Sequence, residues 1–169
     1  MYELLHHKIS EIISVTDEEF EFCKTLFQPK KLRKKQFLLH EGDECRYTAF
    51  VEKGILRTFS IDEKGNEHIL QFAMEGWWVA DLYSFLTNEP STYNIEALEE
   101  CELLLITKPS WDLLFKKFLH LKNTSGSFYK IISSLLNEGL WAHSVNLRKR
   151  NMKNWLLLIR SICKNFLNI

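Results

Sequence analysis

Four of the chain's six glycines stand at positions 42, 54, 65 and 76, so a turn residue recurs every 11 or 12 positions. Nothing else in the sequence restricts the fold as strongly. About ten residues between turns suffice for one strand, or for a helix of roughly two turns. The residues themselves favour strands. Gln36–His40, Tyr47–Glu52, Ile55–Ile61 and His68–Phe72 are rich in aromatic and β-branched side chains. Turn chemistry such as Glu41-Gly42-Asp43 and Glu63-Lys64-Gly65-Asn66 separates them. Two more strands are predicted at Tyr93–Glu99 and Cys101–Thr107. In the first, Tyr93, Ile95 and Ala97 alternate with Asn94 and Glu96, as in a half-buried strand. The expected fold is mainly β with flanking helices, a β-roll of the double-stranded β-helix or jelly-roll kind.

Helical periods lie on either side. Leu5, Ile9, Ile12 and Ile13 share a face, which predicts a short helix over residues 4–13. Thr16-Asp17-Glu18-Glu19 has the hydroxyl and carboxylate of a reciprocal capping box. Phe20, Cys23, Lys24 and Phe27 continue it until Pro29. A short helix, Ala80–Leu86, interrupts the β region and stops before Pro90. After Thr107 the pattern is helical to the end. Pro109 suits a first turn, and Trp111, Leu114, Phe115 and Phe118 line one face. Phe128, Ile131, Ile132, Leu135, Leu136 and Leu140 then recur at three- and four-residue steps. That stripe covers the roll or meets its own copy in a parallel dimer, and the dimer is the favoured reading.

The formal charge of zero, from 22 basic and 22 acidic residues, conceals an asymmetry. Arg148, Lys149, Arg150, Lys153, Arg160 and Lys164 follow Ser144 with no acidic residue among them, so residues 1–144 carry −6 and the remainder +6. Leu103–Ile106 and similar apolar runs are far too short for a bilayer. Met1-Tyr2-Glu3-Leu4-Leu5 lacks the basic start and apolar run of a secretory signal. A soluble, cytoplasmic protein with no membrane partner is expected.

Enzymatic chemistry finds little purchase. Cys23, Cys45, Cys101 and Cys163 are scattered, without zinc spacing, and read as buried free thiols. A metal needs converging donors, whereas the β region offers only His40 and His68. No nucleophile elbow, phosphate loop or dinucleotide glycine pattern occurs. No catalytic residue, metal ligand or cofactor is expected.

One stretch is more specific. Glu75-Gly76-Trp77-Trp78-Val79-Ala80-Asp81-Leu82-Tyr83-Ser84-Phe85-Leu86 continues to Pro90-Ser91-Thr92-Tyr93-Asn94-Ile95-Glu96-Ala97-Leu98-Glu99. It resembles the phosphate-binding cassette of cyclic-nucleotide-binding domains, most of all in Crp/Fnr-type transcription regulators. Phe37-Leu38-Leu39-His40-Glu41-Gly42-Asp43 and Val51-Glu52-Lys53-Gly54-Ile55-Leu56-Arg57 resemble the hairpins that precede that cassette. The likeness runs from about residue 15 to 145. It implies a β-roll with an inserted short helix, then a long dimerisation helix, then a winged helix-turn-helix.

The same resemblance names the candidate ligand-binding residues as Ala80, Asp81, Leu82, Ser91 and Thr92. In the family a Glu near the inserted helix holds the ribose hydroxyl and an Arg neutralises the cyclic phosphate. Here Asp81 stands at the Glu position and Ser91 or Thr92 at the Arg position. No arginine occurs from residue 58 to 147. Hydroxyls replace neither its charge nor its paired donors, so the expected domain does not bind cyclic AMP usefully. Trp77, Trp78 and Tyr83 are candidates to fill the cavity or to pack in the core.

The implied organisation is a roll with N-terminal helices over 1–118, a dimerisation helix over 119–147 and a basic helical tail over 148–169. Phe128, Ile131, Ile132, Leu135 and Leu136 form the dimer face. The tail is open to three readings: a continuation of the dimer helix, an unrelated interaction segment, or the altered end of a shortened regulator, the last being favoured. DNA binding is expected only if a helix-turn-helix exists beyond this chain. The functional expectation is the sensor and dimerisation portion of a Crp/Fnr-type regulator, a homodimer with an unknown small-molecule effector. The alternative is a stand-alone ligand-sensing or protein-interaction module without a DNA role.

Overall fold

The computed structural model describes residues 1–12 and 14–122. The expected dimer face (Phe128, Ile131, Ile132, Leu135, Leu136) and the basic tail over 148–169 lie outside the described residues.

Two short helices open the chain, α1 (Glu3–Ile12) and α2 (Asp17–Leu26). The capping box at α2 forms as the sequence predicts. Thr16 Oγ1 accepts from the Glu19 amide at 3.3 Å, and Glu19 Oε2 accepts from the Thr16 amide at 2.8 Å. The predicted continuation through Phe27 does not occur. Phe27 is already extended (φ −101°, ψ 144°) and opens β1 (Phe27–Leu32), a strand that sequence reasoning missed. Pro29 is tolerated there because β1 is an edge strand, with only β8 beside it.

Seven further strands follow: β2 (Phe37–Leu39), β3 (Tyr47–Lys53), β4 (Leu56–Ile61), β5 (Glu67–Ala73), β6 (Trp78–Val79), β7 (Asn94–Ala97) and β8 (Cys101–Thr107). All six predicted strands are present, with ends shifted by at most a few residues. The short β6 was not predicted. The strands form two antiparallel four-stranded sheets, ordered β1-β8-β3-β6 and β2-β7-β4-β5. All four spaced glycines adopt positive φ, as turns between strands require.

Burial explains why the two sheets read differently in sequence. β8 lies between β1 and β3, and Leu103, Leu104, Leu105 and Ile106 are all buried. Both of its faces are covered, so its apolar run is continuous. β5 is an edge strand, and Ile69 and Phe72 on it are about half exposed.

The helices cover the outer face of the first sheet. Glu52 on β3 accepts from the Leu4 and Leu5 amides at 3.3 and 2.8 Å, which satisfies two orphan donors at the start of α1. The last described helix, α4 (Lys108–Lys122), has Pro109 in its first turn, and its Trp111 and Leu114 are buried. Trp111 Nε1 donates to Thr48 Oγ1 on β3 at 2.7 Å.

The β4–β5 turn depends on one carboxylate. Asp62 accepts from the Lys64 and Asn66 amides at 2.9 and 2.8 Å and faces His68 Nε2 at 3.0 Å. These bonds, His68 foremost, hold the Asp62 carboxyl well below the usual carboxylate range. A depressed folded-state pKa stabilises above the unfolded value and is lost as pH falls toward the folded one. The stability deficit of Asp62→Ala, read from urea midpoints, is therefore expected to be constant down to about pH 4 and to shrink below it. A deficit that is unchanged at about pH 2 would exclude this role.

Candidate functional site

The cassette segment begins at β6, whose two side chains point in opposite directions. Trp78 turns outward to the helices, 5.3 Å from Phe50 (edge-on) and 5.0 Å from Trp111 between ring centroids. It belongs to the core between sheet and helices and does not fill the roll. Val79 pairs with Ala49 on the opposite face and lines a cavity of about 160 Å³. Tyr83 is exposed on the inserted helix, and its hydroxyl donates to Glu89 at 3.2 Å. Of the two readings open for these aromatics, Trp78 takes core packing, whereas Tyr83 takes neither and lies on the surface.

The inserted helix α3 runs over Leu82–Thr87, two residues later than predicted. The reason is Asp81. It is the N-cap, with extended backbone, and its Oδ1 accepts from the Ser84 amide at 3.1 Å. Asn88 in the left-handed conformation ends the helix.

The other oxygen of Asp81 reaches across the loop. Ser91 Oγ donates to Asp81 Oδ2 at 2.8 Å and accepts from the Tyr93 amide at 3.1 Å. Backbone bonds hold Ser91 in place: its amide donates to Asp43 O and its carbonyl accepts from the Gly42 amide, both at 2.8 Å. Ser84 Oγ donates to Glu89 O and accepts from the Cys45 amide at 2.9 Å. Asp81, Ser84 and Ser91 are each buried. Asp81 and Ser91, two of the candidates that the sequence resemblance singled out, thus bond to each other.

The remaining candidates separate. Thr92 is exposed, so of the two hydroxyls only Ser91 joins Asp81. Leu82 is half-buried against the core, and Ala80 lies on the cavity wall. That wall meets the cassette at Val79 and Ala80 and otherwise comes from Leu38–His40, Asp43–Tyr47 and Ile95. Sequence reasoning missed Cys45, whose amide ties the cavity loop to Ser84. Its thiol is pushed up to about 12 by burial, which keeps it protonated and unreactive. Cys23 and Cys101 are likewise buried and free. Among the described residues, no group of three or more His, Cys, Asp or Glu is placed to hold a metal. Among them, too, no helix is long and apolar enough to cross a membrane.

Comparison with known proteins bears on this geometry. A family model described as cyclic nucleotide-binding domain matches residues 29–118, just over half the chain. The fold is similar to the catabolite activator protein of Thermus thermophilus, with a TM-score of 0.61 and 19% identity over 89% of this chain and 62% of that one. The chain therefore spans less than two thirds of that protein. It is similar as well to the sensor domain of the transcriptional regulator DNR from Pseudomonas aeruginosa, with a TM-score of 0.61 and 14% identity over 90% and 91% of the two chains. A third likeness is to the regulatory subunit of a cAMP-independent protein kinase A from Trypanosoma cruzi bound to guanosine. There the TM-score is 0.54 and the identity 10% over 79% and 49%. No curated protein matches the sequence.

Proposed function

The chain belongs to the cyclic nucleotide-binding domain family, and on that premise we propose that it is the sensor portion of a Crp/Fnr-type transcription regulator whose roll does not answer to cyclic AMP. The regulator half of this reading draws support from the resemblance, over 90% of this chain, to the Pseudomonas sensor domain. In such a regulator the roll's contents bias the geometry of a dimer.

The insensitivity to cyclic AMP rests on one observation, the bond between Asp81 and Ser91. A cyclic phosphate needs a cation at the position of Ser91, and a charge-assisted bond of that kind contributes about 1.5–3 kcal/mol. In its place the ligand would meet the Ser91 hydroxyl, which already donates to Asp81. Loss of the charged bond corresponds to roughly one to two orders of magnitude in affinity. The fold is compatible with such a departure, since a cAMP-independent kinase subunit shares it.

Calorimetric titration of the chain with cyclic AMP and cyclic GMP is expected to give no saturable heat. Micromolar or tighter binding of either would overturn the reading.

A further inference from the structure

We infer that the cavity between the β2–β3 loop and the cassette takes a small, uncharged, largely apolar molecule, of the size of a singly substituted benzene. This names the effector class of the proposed sensor and rests on that reading.

Size comes first. The cavity measures about 160 Å³. An apolar cavity of about 150 Å³ stays dry and admits benzene. Pockets for drug-sized ligands run to roughly 300 Å³ and more, so nothing of nucleotide size fits this one. The floor is apolar to match. Leu39, Cys45, Val79 and Ile95 line it and are all buried. None of them carries a charge, and the Cys45 thiol already donates to the Tyr47 carbonyl at 3.3 Å. An ionised group seated on that floor would give up its hydration without gaining a partner.

The rim decides the rest. His40, Asp43, Glu44, Arg46 and Tyr47 stand around the opening, and all five are exposed. Arg46 is already paired with Glu44 at 3.1 Å, which leaves Asp43 to make the opening acidic. An anion is therefore disfavoured at the rim as well as on the floor. His40 stacks on Phe37, with 4.2 Å between ring centroids. Its imidazole can donate to, or accept from, one hydroxyl or carbonyl of the ligand. An occupant would be felt at the cassette. Val79 and Ala80 run directly into the Asp81 cap, and the Cys45 amide bonds to Ser84 Oγ at 2.9 Å.

The test titrates the full chain with phenol, benzoate and cyclic AMP, with the methyl resonances of Leu39, Val79 and Ile95 as the readout. Phenol is expected to shift those methyls saturably, with a Kd on the order of 0.1–1 mM for so few atoms. Benzoate, of similar size but charged, should bind at least about tenfold more weakly, and cyclic AMP should shift none of them. Ala80→Leu fills the cavity from a half-buried position, so that chain should keep its Tm and lose the phenol response. Should it not fold, Leu39→Ala enlarges the cavity instead and should admit 2-naphthol, which the native chain excludes. If phenol gives no saturable shift, or an equal one in the Ala80→Leu chain, this inference falls and the proposed function stands. Benzoate binding as tightly as phenol would overturn the uncharged class. Tight binding of cyclic AMP would overturn the proposed function and this inference with it.

Discussion

Replacing Gly54 with alanine is expected to lower the unfolding free energy by about 3 kcal/mol or more, the largest loss from adding a single methyl group to this fold. Gly54 joins β3 to β4 at a φ of +93°, where a side chain is strained before any contact is considered. Contact then makes it worse. A Cβ there would lie 2.7 Å from the Glu100 carbonyl oxygen, 2.8 Å from Cys101 Sγ and 3.1 Å from Cys101 Cα. Two of those atoms are backbone at the start of β8, which is fixed between β1 and β3 and has no free direction in which to yield. Gly65 at the β4–β5 turn is the control. Its φ is +85°, yet nothing lies within 4 Å of a Cβ there. Gly65→Ala should therefore show the conformational strain alone, about 1 kcal/mol. Urea unfolding of the two variants measures the difference. Equal losses would mean that the β3–β4 and β7–β8 connections do not approach as closely as described.

The same glycine spacing made the β-roll legible, because it left room for strands and little else. β8 was readable to its ends, Cys101 and Thr107, since burial on both faces writes an unbroken apolar run. The α2 cap was readable because its partners are three residues apart. What escaped depends on partners far away in sequence. β1 shows in sequence only as the end of a helical pattern at Pro29, and is a strand because β8 pairs with it. Trp78 could fill the cavity or pack in the core, and only β3 and α4 on its other side decide for packing. Asp81 and Ser91 were identified as candidates through their positions in a motif, but that they bond to each other follows from the loop brought back by Gly42 and Asp43.

Asp81→Ala is expected to destabilise the fold by about 1–2 kcal/mol, more than an ordinary cap deletion, because the cap and a charge-assisted bond are lost together. The Ser84 amide loses its acceptor, as at any truncated N-cap, at about 1 kcal/mol. Ser91 Oγ, buried under the loop, exchanges a charge-assisted bond for the Tyr93 carbonyl 3.1 Å away, which adds up to about 1 kcal/mol. Asp81→Asn separates the parts. Its side-chain oxygen can still cap Ser84, and the Ser91 hydroxyl can turn toward the Tyr93 carbonyl, 3.1 Å away. The asparagine chain should therefore keep most of the stability while losing the negative charge. Urea midpoints give the first comparison, and exchange protection of the Ser84 and Tyr93 amides localises it. An asparagine chain as unstable as the alanine one would show that charge, rather than hydrogen-bond geometry, holds the cassette together.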